Sequence, residues 1–172
     1  MISATPSIAQ TLSVSCVTYA ADTELLGRVI AALVTAVTDA RKQRPTLKVS
    51  FMLVDNGPSA DDLERLRQLE ALYQEKFDDF QILTGHGNLG YGRGNNVAIA
   101  LTNAEYHLIL NPDAILNCDA INNALSHMEQ DEKLALAAPL GIDRNGEPQF
   151  LAKRFPSPIV LTLRLMHISI LT

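Results

Sequence analysis

The sequence predicts an α/β fold in which a mostly parallel sheet carries helices on both of its faces. Apolar runs of strand type alternate with amphipathic helical stretches, and turn-forming residues separate them. The 172 residues, 47% of them hydrophobic, are enough for one domain with a real core. Alternating strands and helices require right-handed crossovers, which bring the carboxyl ends of the strands to one edge. We therefore expect a single domain over residues 1–172, with its ligand site at that edge.

The first crossover has the clearest periodicity. Residues 12–18 alternate apolar and small polar side chains, as a strand does. Helical spacing follows at residues 25–37, with Asp22 or Thr23 as the N-cap. A second strand-like run at residues 49–54 completes this unit.

A second crossover follows a turn signal at residues 55–58. Residues 59–62 fit a capping box, and leucines at helical spacing up to Tyr73 supply the buried side of the helix. Residues 80–84 then read as the third strand, which leads into a glycine-rich loop at residues 85–94.

The last part of the chain contains a hairpin signal. Residues 143–146 include the Asn-Gly pair that tight primed turns favour, so we expect antiparallel pairing near Leu140 and Gln149. The other predicted elements after the glycine-rich loop are a helix at residues 95–104, a strand at 106–110, a helix capped by Asp119 with Ile121, Leu125 and Met128 on one face, and a strand at 134–138.

The charge and the cysteine content exclude several classes of function. The formal net charge is -5, from 19 acidic and 14 basic residues without a long basic run, so we do not expect a nucleic-acid partner. Cys16 and Cys118 have no zinc-ligand spacing and form no disulfide scaffold, which indicates a reducing, cytoplasmic location. No lysine or arginine precedes Arg28, and no apolar run reaches membrane-spanning length, so we expect neither a secretory signal nor a transmembrane helix.

The main functional signal is the glycine-rich loop together with an aspartate after the next strand. Five glycines within residues 85–94 let backbone N–H groups approach an anion closely. Residues 111–113, Asn-Pro-Asp, follow the next strand, and a carboxylate there can hold the cation that accompanies a diphosphate. Together they predict a pocket for a phosphorylated ligand and its metal ion.

Two interpretations stay open from the residues alone. Residues 85–90 match the dinucleotide-binding pattern, so a nicotinamide-dependent oxidoreductase is an alternative, although this loop follows the third predicted strand and not the first. The role of Asp55 is also open. From the spacing alone, a residue that leads into Asn-Gly-Pro is read as an Asx turn, and contact with a ligand is the alternative.

Four motifs, in order along the chain, resemble those of family 2 of the inverting glycosyltransferases, and within it the rhamnosyltransferase-like branch. The motifs are residues 17–19, residues 54–56, residues 88–92 with Asn95 and Asn96, and residues 111–113, followed by a basic stretch at 153–156. The resemblance covers residues 12–156. It implies the Rossmann-like A-type nucleotide-sugar fold, incomplete at the C-terminus, and transfer of a sugar such as rhamnose from a nucleoside diphosphate sugar.

The resemblance also implies a role for each motif. The backbone near Thr18 and the carboxylate of Asp55 would hold a pyrimidine base, whose N–H needs an acceptor. Asp113 would hold Mg²⁺ or Mn²⁺ at the diphosphate, although Asn111 stands where the common motif has another aspartate. The donor-binding residues implied in this way are Thr18, Tyr19, Asp55, Asn56, Gly90, Tyr91, Gly92, Arg93, Asn95 and Asn96.

The catalytic base cannot be identified from the sequence. Inverting transfer needs a carboxylate that deprotonates the acceptor hydroxyl, and spacing singles out none of the acidic residues after Asp113. We expect the apolar tail at residues 157–172 to belong to a missing acceptor-binding portion, with membrane contact and a dimer as the other interpretations. The acceptor would be a glycan or a lipid-linked sugar, met at the inner face of the membrane. A non-catalytic remnant or assembly module is a third functional alternative.

Overall fold

Four parallel strands form the central sheet. The computed structural model describes residues 10–20, 22–143 and 146–149. The strands are β1 (Thr11–Thr18), β2 (Lys48–Asp55), β3 (Asp79–Leu83) and β4 (Tyr106–Leu110), and their order across the sheet is β3-β2-β1-β4. The chain moves outward from β1 to β3 and then crosses to the other side of β1. This arrangement confirms the predicted α/β fold.

Helices cover both faces of the sheet. They are α1 (Thr23–Gln43), α2 (Ala60–Tyr73), α3 (Tyr91–Ala100) and α4 (Ala120–Gln130), and a 3-10 turn at Gln74–Lys76 follows α2. Because side chains alternate between the faces of a strand, Val14 packs in a cluster with Leu26 of α1 and with side chains of α2 and α4. Val17, three residues further on, packs instead with Ala98 of α3. Among the described helices, none has both the length and the apolar character that crossing a bilayer requires.

The first two helices begin with side-chain caps, as the sequence predicts. Asp22 Oδ1 accepts hydrogen bonds from the N–H groups of Glu24 and Leu25 at 2.9 and 3.2 Å. Ser59 Oγ accepts one from the N–H of Asp62 at 3.2 Å. These bonds satisfy amides that the first turn of a helix leaves unpaired, so they set where α1 and α2 start.

The third helix starts earlier than predicted. It spans Tyr91–Ala100, whereas the sequence pattern predicted residues 95–104. Its first turn contains Gly92 and Gly94, and glycine has a low helix propensity, so local preference alone does not reveal this turn. Contacts with other parts of the chain, described below, hold it in place.

The strand predicted at residues 134–138 is wrong. These residues are in neither a helix nor a strand, and Leu136 is 83% exposed. The apolar alternation was misleading because a strand also needs a neighbour for its backbone groups, and no described strand pairs with this segment.

The predicted hairpin is present. β5 (Gly141–Ile142) pairs antiparallel with β6 (Pro148–Gln149), and Gly141 is opposite Gln149, one residue from the predicted pairing. The chain divides into two units, Met1–Ala135 with the four-stranded sheet and Leu136–Thr172 with this hairpin. The basic stretch at 153–156 and the apolar tail at 157–172 lie outside the described residues.

Arg44, which follows α1, joins this helix to α4. Its guanidinium donates to both carboxylate oxygens of Glu129 at 3.0 and 2.9 Å, to Ser126 Oγ at 2.9 Å, and to Asn122 Oδ1. The Arg44 side chain is only 12% exposed. The hydrogen bonds from Arg44 hold the pKa of Glu129 below its usual value. The cluster is therefore a polar clamp between two helices on the same face of the sheet.

We expect Arg44→Met to lower the free energy of unfolding by about 1–2 kcal/mol, because oxygens of Asn122 and Glu129 lose their donor while water partly replaces it. Denaturant unfolding at neutral pH measures this. Arg65→Met is the matched control, since Arg65 pairs with Asp62 while its own side chain is 57% exposed. Its loss should cost less than about 0.5 kcal/mol, and equal costs for the two variants would contradict the clamp.

Candidate functional site

The predicted site residues lie at the carboxyl edge of the sheet, on both sides of β1. Thr18 ends β1 in register with Asp55, which ends β2, and β4 ends at Leu110 opposite Cys16. Neighbouring strands are about 4.8 Å apart, so the ends of β2 and β4 are about 10 Å apart across β1. Ligands of open α/β sheets bind where the strand order reverses, which is here between β1 and β4.

Asp55 is buried and contacts two loops. It is 4% exposed. Oδ1 accepts a hydrogen bond from the N–H of Gly57 at 2.9 Å, and Oδ2 accepts one from the hydroxyl of Thr84 at 3.3 Å. The first bond is the Asx turn that the sequence allowed. Because a carboxylate has about four acceptor positions, the turn and a ligand contact are compatible.

Asn56 connects the end of β2 to the glycine-rich loop. Its Nδ2 donates to the carbonyl of Gly90 at 3.2 Å, and its backbone N–H donates to the carbonyl of Thr18 at 2.9 Å. Its Oδ1 is buried and has no hydrogen-bond partner in the described part of the chain. Leaving a buried acceptor without a donor is costly, so this oxygen is an available contact for a ligand donor.

Two glycines allow the loop and α3 to approach the sheet. Gly90 precedes α3 with a φ of 76°, in the left-handed region where a side chain causes strain. A Cβ on Gly94 would lie 3.0 Å from Val17 Cγ1 and 3.3 Å from Asn56 Nδ2. Glycine at this position therefore brings the first turn of α3 against the end of β1.

Tyr91 connects α3 to the segment after β4. Its hydroxyl donates to Asn111 Oδ1. Burial raises the pKa of Tyr91, and the charge of Asp113 adds to this effect. Burial, with a further contribution from Asp113, raises the pKa of the Cys16 thiol to about 12. Asp113 is thus near both side chains, and contacts run continuously from the end of β2 through α3 to the residues after β4.

Asp113 is exposed, and its carboxylate makes no hydrogen bond or ion pair with a described residue. The described residues contain no cluster of three or more side chains that could form a metal site. Mg²⁺ at phosphate sites is commonly bound by one or two carboxylates, with substrate phosphates and waters completing the shell. A single free carboxylate therefore fits a cation that is shared with a diphosphate, and it does not fit a preformed all-protein cage.

Three of the predicted site side chains take no part in the contacts between the end of β2, α3 and the residues after β4. Tyr19 is 57% exposed, and Arg93 and Asn96 are exposed on α3. None of them makes a hydrogen bond or ion pair through its side chain with a described residue. Gly92 also lies in the exposed first turn of α3, with open space where a side chain would be. The roles of all four stay predictions.

A buried polar network beneath α3 was missed in the sequence. Asn95 Nδ2 donates to the carbonyl of Tyr91 at 3.1 Å, and Asn95 Oδ1 accepts from the Ser15 hydroxyl at 2.7 Å. Ser15 Oγ lies 2.9 Å from His107 Nε2, and Ser13 Oγ lies 2.7 Å from His107 Nδ1. The sequence did show two serines alternating with apolar residues in a central strand, which indicates buried hydroxyls. It could not show their partners, because Asn95 and His107 are far away in sequence.

His107 makes stability depend on pH. Burial lowers the pKa of His107 below its ordinary value of 6.5. The unfolded chain therefore binds a proton more readily, so the contribution of His107 to stability is complete above about pH 6.5 and is lost as the pH falls through the folded-state pKa. We expect His107→Gln, which cannot titrate, to flatten this decline. Denaturant unfolding between about pH 7.5 and pH 5 tests it, and identical declines in both proteins would contradict it.

Comparison with known sequences identifies the family. The family model described as glycosyl transferase family 2 matches residues 24–170. The chain is 32% identical over 102 residues to the low-salt glycan biosynthesis hexosyltransferase Agl10 of Haloferax volcanii, an alignment that covers 57% of this chain and 30% of that protein.

Solved structures with a similar fold include complexes with nucleotide sugars. S. aureus TarS in complex with UDP-GlcNAc matches with a TM-score of 0.56 and 18% identity, over 70% of this chain and 32% of that one. Mannosyltransferase PcManGT from Pyrobaculum calidifontis, in complex with GDP-Man and Mn²⁺, matches with a TM-score of 0.55 and 18% identity, over 72% of this chain and 33% of that one.

The two structural matches establish the fold. The chain spans about a third of the length of Agl10, TarS and PcManGT. The family model covers most of the chain and three of the four motifs; the remaining motif, residues 17–19, precedes the matched range. The chain belongs to glycosyl transferase family 2.

Proposed function

We propose that this chain is the nucleotide-sugar-binding part of a glycosyltransferase that transfers a hexosyl unit with inversion, with rhamnose as the candidate sugar. The observation that carries the proposal is the convergence of Asp55, Asn56, the first turn of α3 and the residues after β4 at one edge of the sheet. The family supports a nucleotide sugar as the ligand, and TarS and PcManGT have been solved with such ligands.

We propose that the base lies at the end of β2. Asp55 is a buried carboxylate that receives hydrogen bonds from Gly57 and Thr84, and it makes no ion pair with a described residue. The nearby Asn56 Oδ1 is a buried acceptor that lacks a donor among those residues. Two acceptors suit a pyrimidine that presents its ring N–H. A base without a donor there would leave the remaining acceptor positions of the buried Asp55 carboxylate, and Asn56 Oδ1, without a hydrogen bond.

The diphosphate would lie toward the end of β4. Asp113 would hold Mg²⁺ or Mn²⁺ there, and the bound cation would stabilise charge on the leaving diphosphate more strongly in the transition state than in the ground state. The Tyr91 hydroxyl donates to Asn111, two residues before Asp113. Through this bond Tyr91 would hold the segment that carries Asp113 in position against the donor. The N–H of Gly90 is donated to Asn88 Oδ1, so the anion would instead meet the N–H groups that the first turn of α3 leaves unpaired, at Tyr91 and Gly92.

We propose a glycan or a lipid-linked sugar as the acceptor, at the cytoplasmic face of a membrane. The relative Agl10 is described as a hexosyltransferase of glycan biosynthesis, which supports the first of these. The catalytic base is not assigned. Of the described carboxylates after Asp113, Glu129 is paired with Arg44 in the clamp between α1 and α4 and also accepts from Gln10, which precedes β1 at the other edge of the sheet.

Isothermal titration with UDP, dTDP and GDP, each with and without MnCl₂, tests the proposal. We expect Mn²⁺-dependent binding that favours the pyrimidine nucleotides and is lost in Asp55→Asn, which keeps the size of the side chain and one acceptor oxygen. NAD binding without metal would instead favour the oxidoreductase alternative. Absence of all nucleotide binding, with a dimer in light scattering, would favour the assembly module.

A further inference from the structure

We propose that Ser13, Ser15 and His107 are positioning residues that hold the first turn of α3 over the carboxyl edge of the sheet. They form a relay that runs from β4 across β1 to Asn95. The inference rests on the proposed function for one step only, which is the link between this turn and nucleotide affinity.

The hydrogen-bond partners fix the direction of the bonds that join Tyr91, Asn95, Ser15 and His107 Nε2. Asn95 Nδ2 donates to the Tyr91 carbonyl, so Asn95 Oδ1 is the acceptor that faces Ser15. The Ser15 hydroxyl uses its proton there, and its oxygen must accept from Nε2–H of His107. In a neutral His107 with its proton on Nε2, Nδ1 accepts from the Ser13 hydroxyl, which also lies 3.4 Å from the Tyr106 carbonyl. The relay is therefore fully paired with a neutral histidine, the form that burial favours.

The first turn of α3 needs such support because its own residues have a low helix propensity and no side-chain cap. The helix has only 10 residues, and Gly90 at its N-cap supplies no side-chain hydrogen bond. Gly92 and Gly94 both lie in this turn, and glycine has a low helix propensity. The bond from Asn95 to the Tyr91 carbonyl ties this turn to the relay, and through it to β1 and β4.

This turn makes the two contacts that define the candidate site. The Gly90 carbonyl accepts from Asn56, and the Tyr91 hydroxyl donates to Asn111, two residues before Asp113. A shift of the turn would change both contacts together. The relay lies below these contacts and acts on the site only through the position of α3.

Ser15→Ala is the direct test, because it removes the oxygen that joins Asn95 to His107. Amide hydrogen exchange at Gly94 and Asn95 should become about tenfold faster relative to exchange at Leu33 in α1, since the turn loses a buried hydrogen bond. The ratio to α1 separates a local effect from a general loss of stability. Affinity for UDP with MnCl₂ should weaken by about tenfold.

His107 supplies a rescue experiment. His107→Leu should act as Ser15→Ala does, whereas His107→Gln keeps an N–H that can reach Ser15 and should restore most of the protection in α3. Ser126→Ala is the matched control: it removes a serine bonded to Arg44 on the opposite face of the sheet, and it should leave both the exchange ratio and UDP affinity unchanged.

An unchanged exchange ratio in Ser15→Ala, or equal effects of His107→Gln and His107→Leu, would overturn the relay. The two proposals fail separately. If the unaltered chain binds no nucleotide, the proposed function is wrong, while the exchange ratio still decides whether the relay positions α3.

Discussion

Asp113→Asn is expected to weaken the metal-dependent binding of a nucleoside diphosphate by about 100-fold, because it removes the candidate carboxylate ligand while keeping the side-chain shape. Binding in the presence of EDTA should change little. Isothermal titration with UDP, at several MnCl₂ concentrations, separates the metal-dependent part of the affinity from the metal-independent part. The expected signature is that the variant with Mn²⁺ binds as weakly as the unaltered chain without it.

Asp61→Asn is the control for net charge, since Asp61 is exposed in the first turn of α2 and lies on no candidate contact. It should leave the Mn²⁺ dependence unchanged. A second readout needs no nucleotide: neutralising Asp113 should lower the pKa of Tyr91, because that charge helps to raise it. If Asp113→Asn keeps the Mn²⁺-dependent affinity, the metal ion is bound by other residues and the assignment of Asp113 is wrong.

The sheet was predictable because buried parallel strands have a strong local pattern. Residues 12–18 and 49–54 were predicted as strands, and they differ from β1 and β2 by no more than one residue at either end. Both strands are buried over most of their length, which requires nearly continuous apolar or small side chains. The caps at Asp22 and Ser59 were predictable for the same reason, since each contacts amides within its own first turn.

Elements held by distant contacts were not predictable. The first turn of α3 has poor local propensity, and its position depends on Asn56 and on the Ser15 relay, which are remote in sequence. The strand predicted at residues 134–138 failed for the opposite reason: its local pattern was favourable, but no described strand pairs with it.

The candidate site was predictable in its location and less so in its contacts. Parallel topology alone brings Asp55 and Asp113 to one edge, because each follows the carboxyl end of a strand. That Asn56 bonds to Gly90, or that Tyr91 bonds to Asn111, depends on how α3 packs on the sheet. His107 was read only as a strand position, since a single histidine carries no sign of partners on another strand.

Phe51→Ala is expected to lower the free energy of unfolding by about 3–5 kcal/mol, the usual cost of removing a fully buried phenylalanine. Phe51 is 0% exposed, and its ring centroid lies 5.3 Å from that of Phe77 and 4.8 Å from that of Phe80. The substitution would leave a cavity on the core face of β2 and β3 and remove two aromatic contacts at once. Denaturant unfolding followed by far-UV circular dichroism measures the change.

The same variant tests whether the core under β2 supports the candidate site. β2 ends at Asp55, and the residue after β3 is Thr84, whose hydroxyl donates to that carboxylate. A cavity on the core face of these two strands should therefore weaken UDP binding even at temperatures where the variant is folded. Leu72→Ala, at a side chain that is 65% exposed, should change stability by less than about 0.5 kcal/mol and leave affinity intact. Loss of stability in Phe51→Ala with full affinity would mean that the ends of β2 and β3 keep their geometry without the aromatic cluster, and that the loops alone position Asp55.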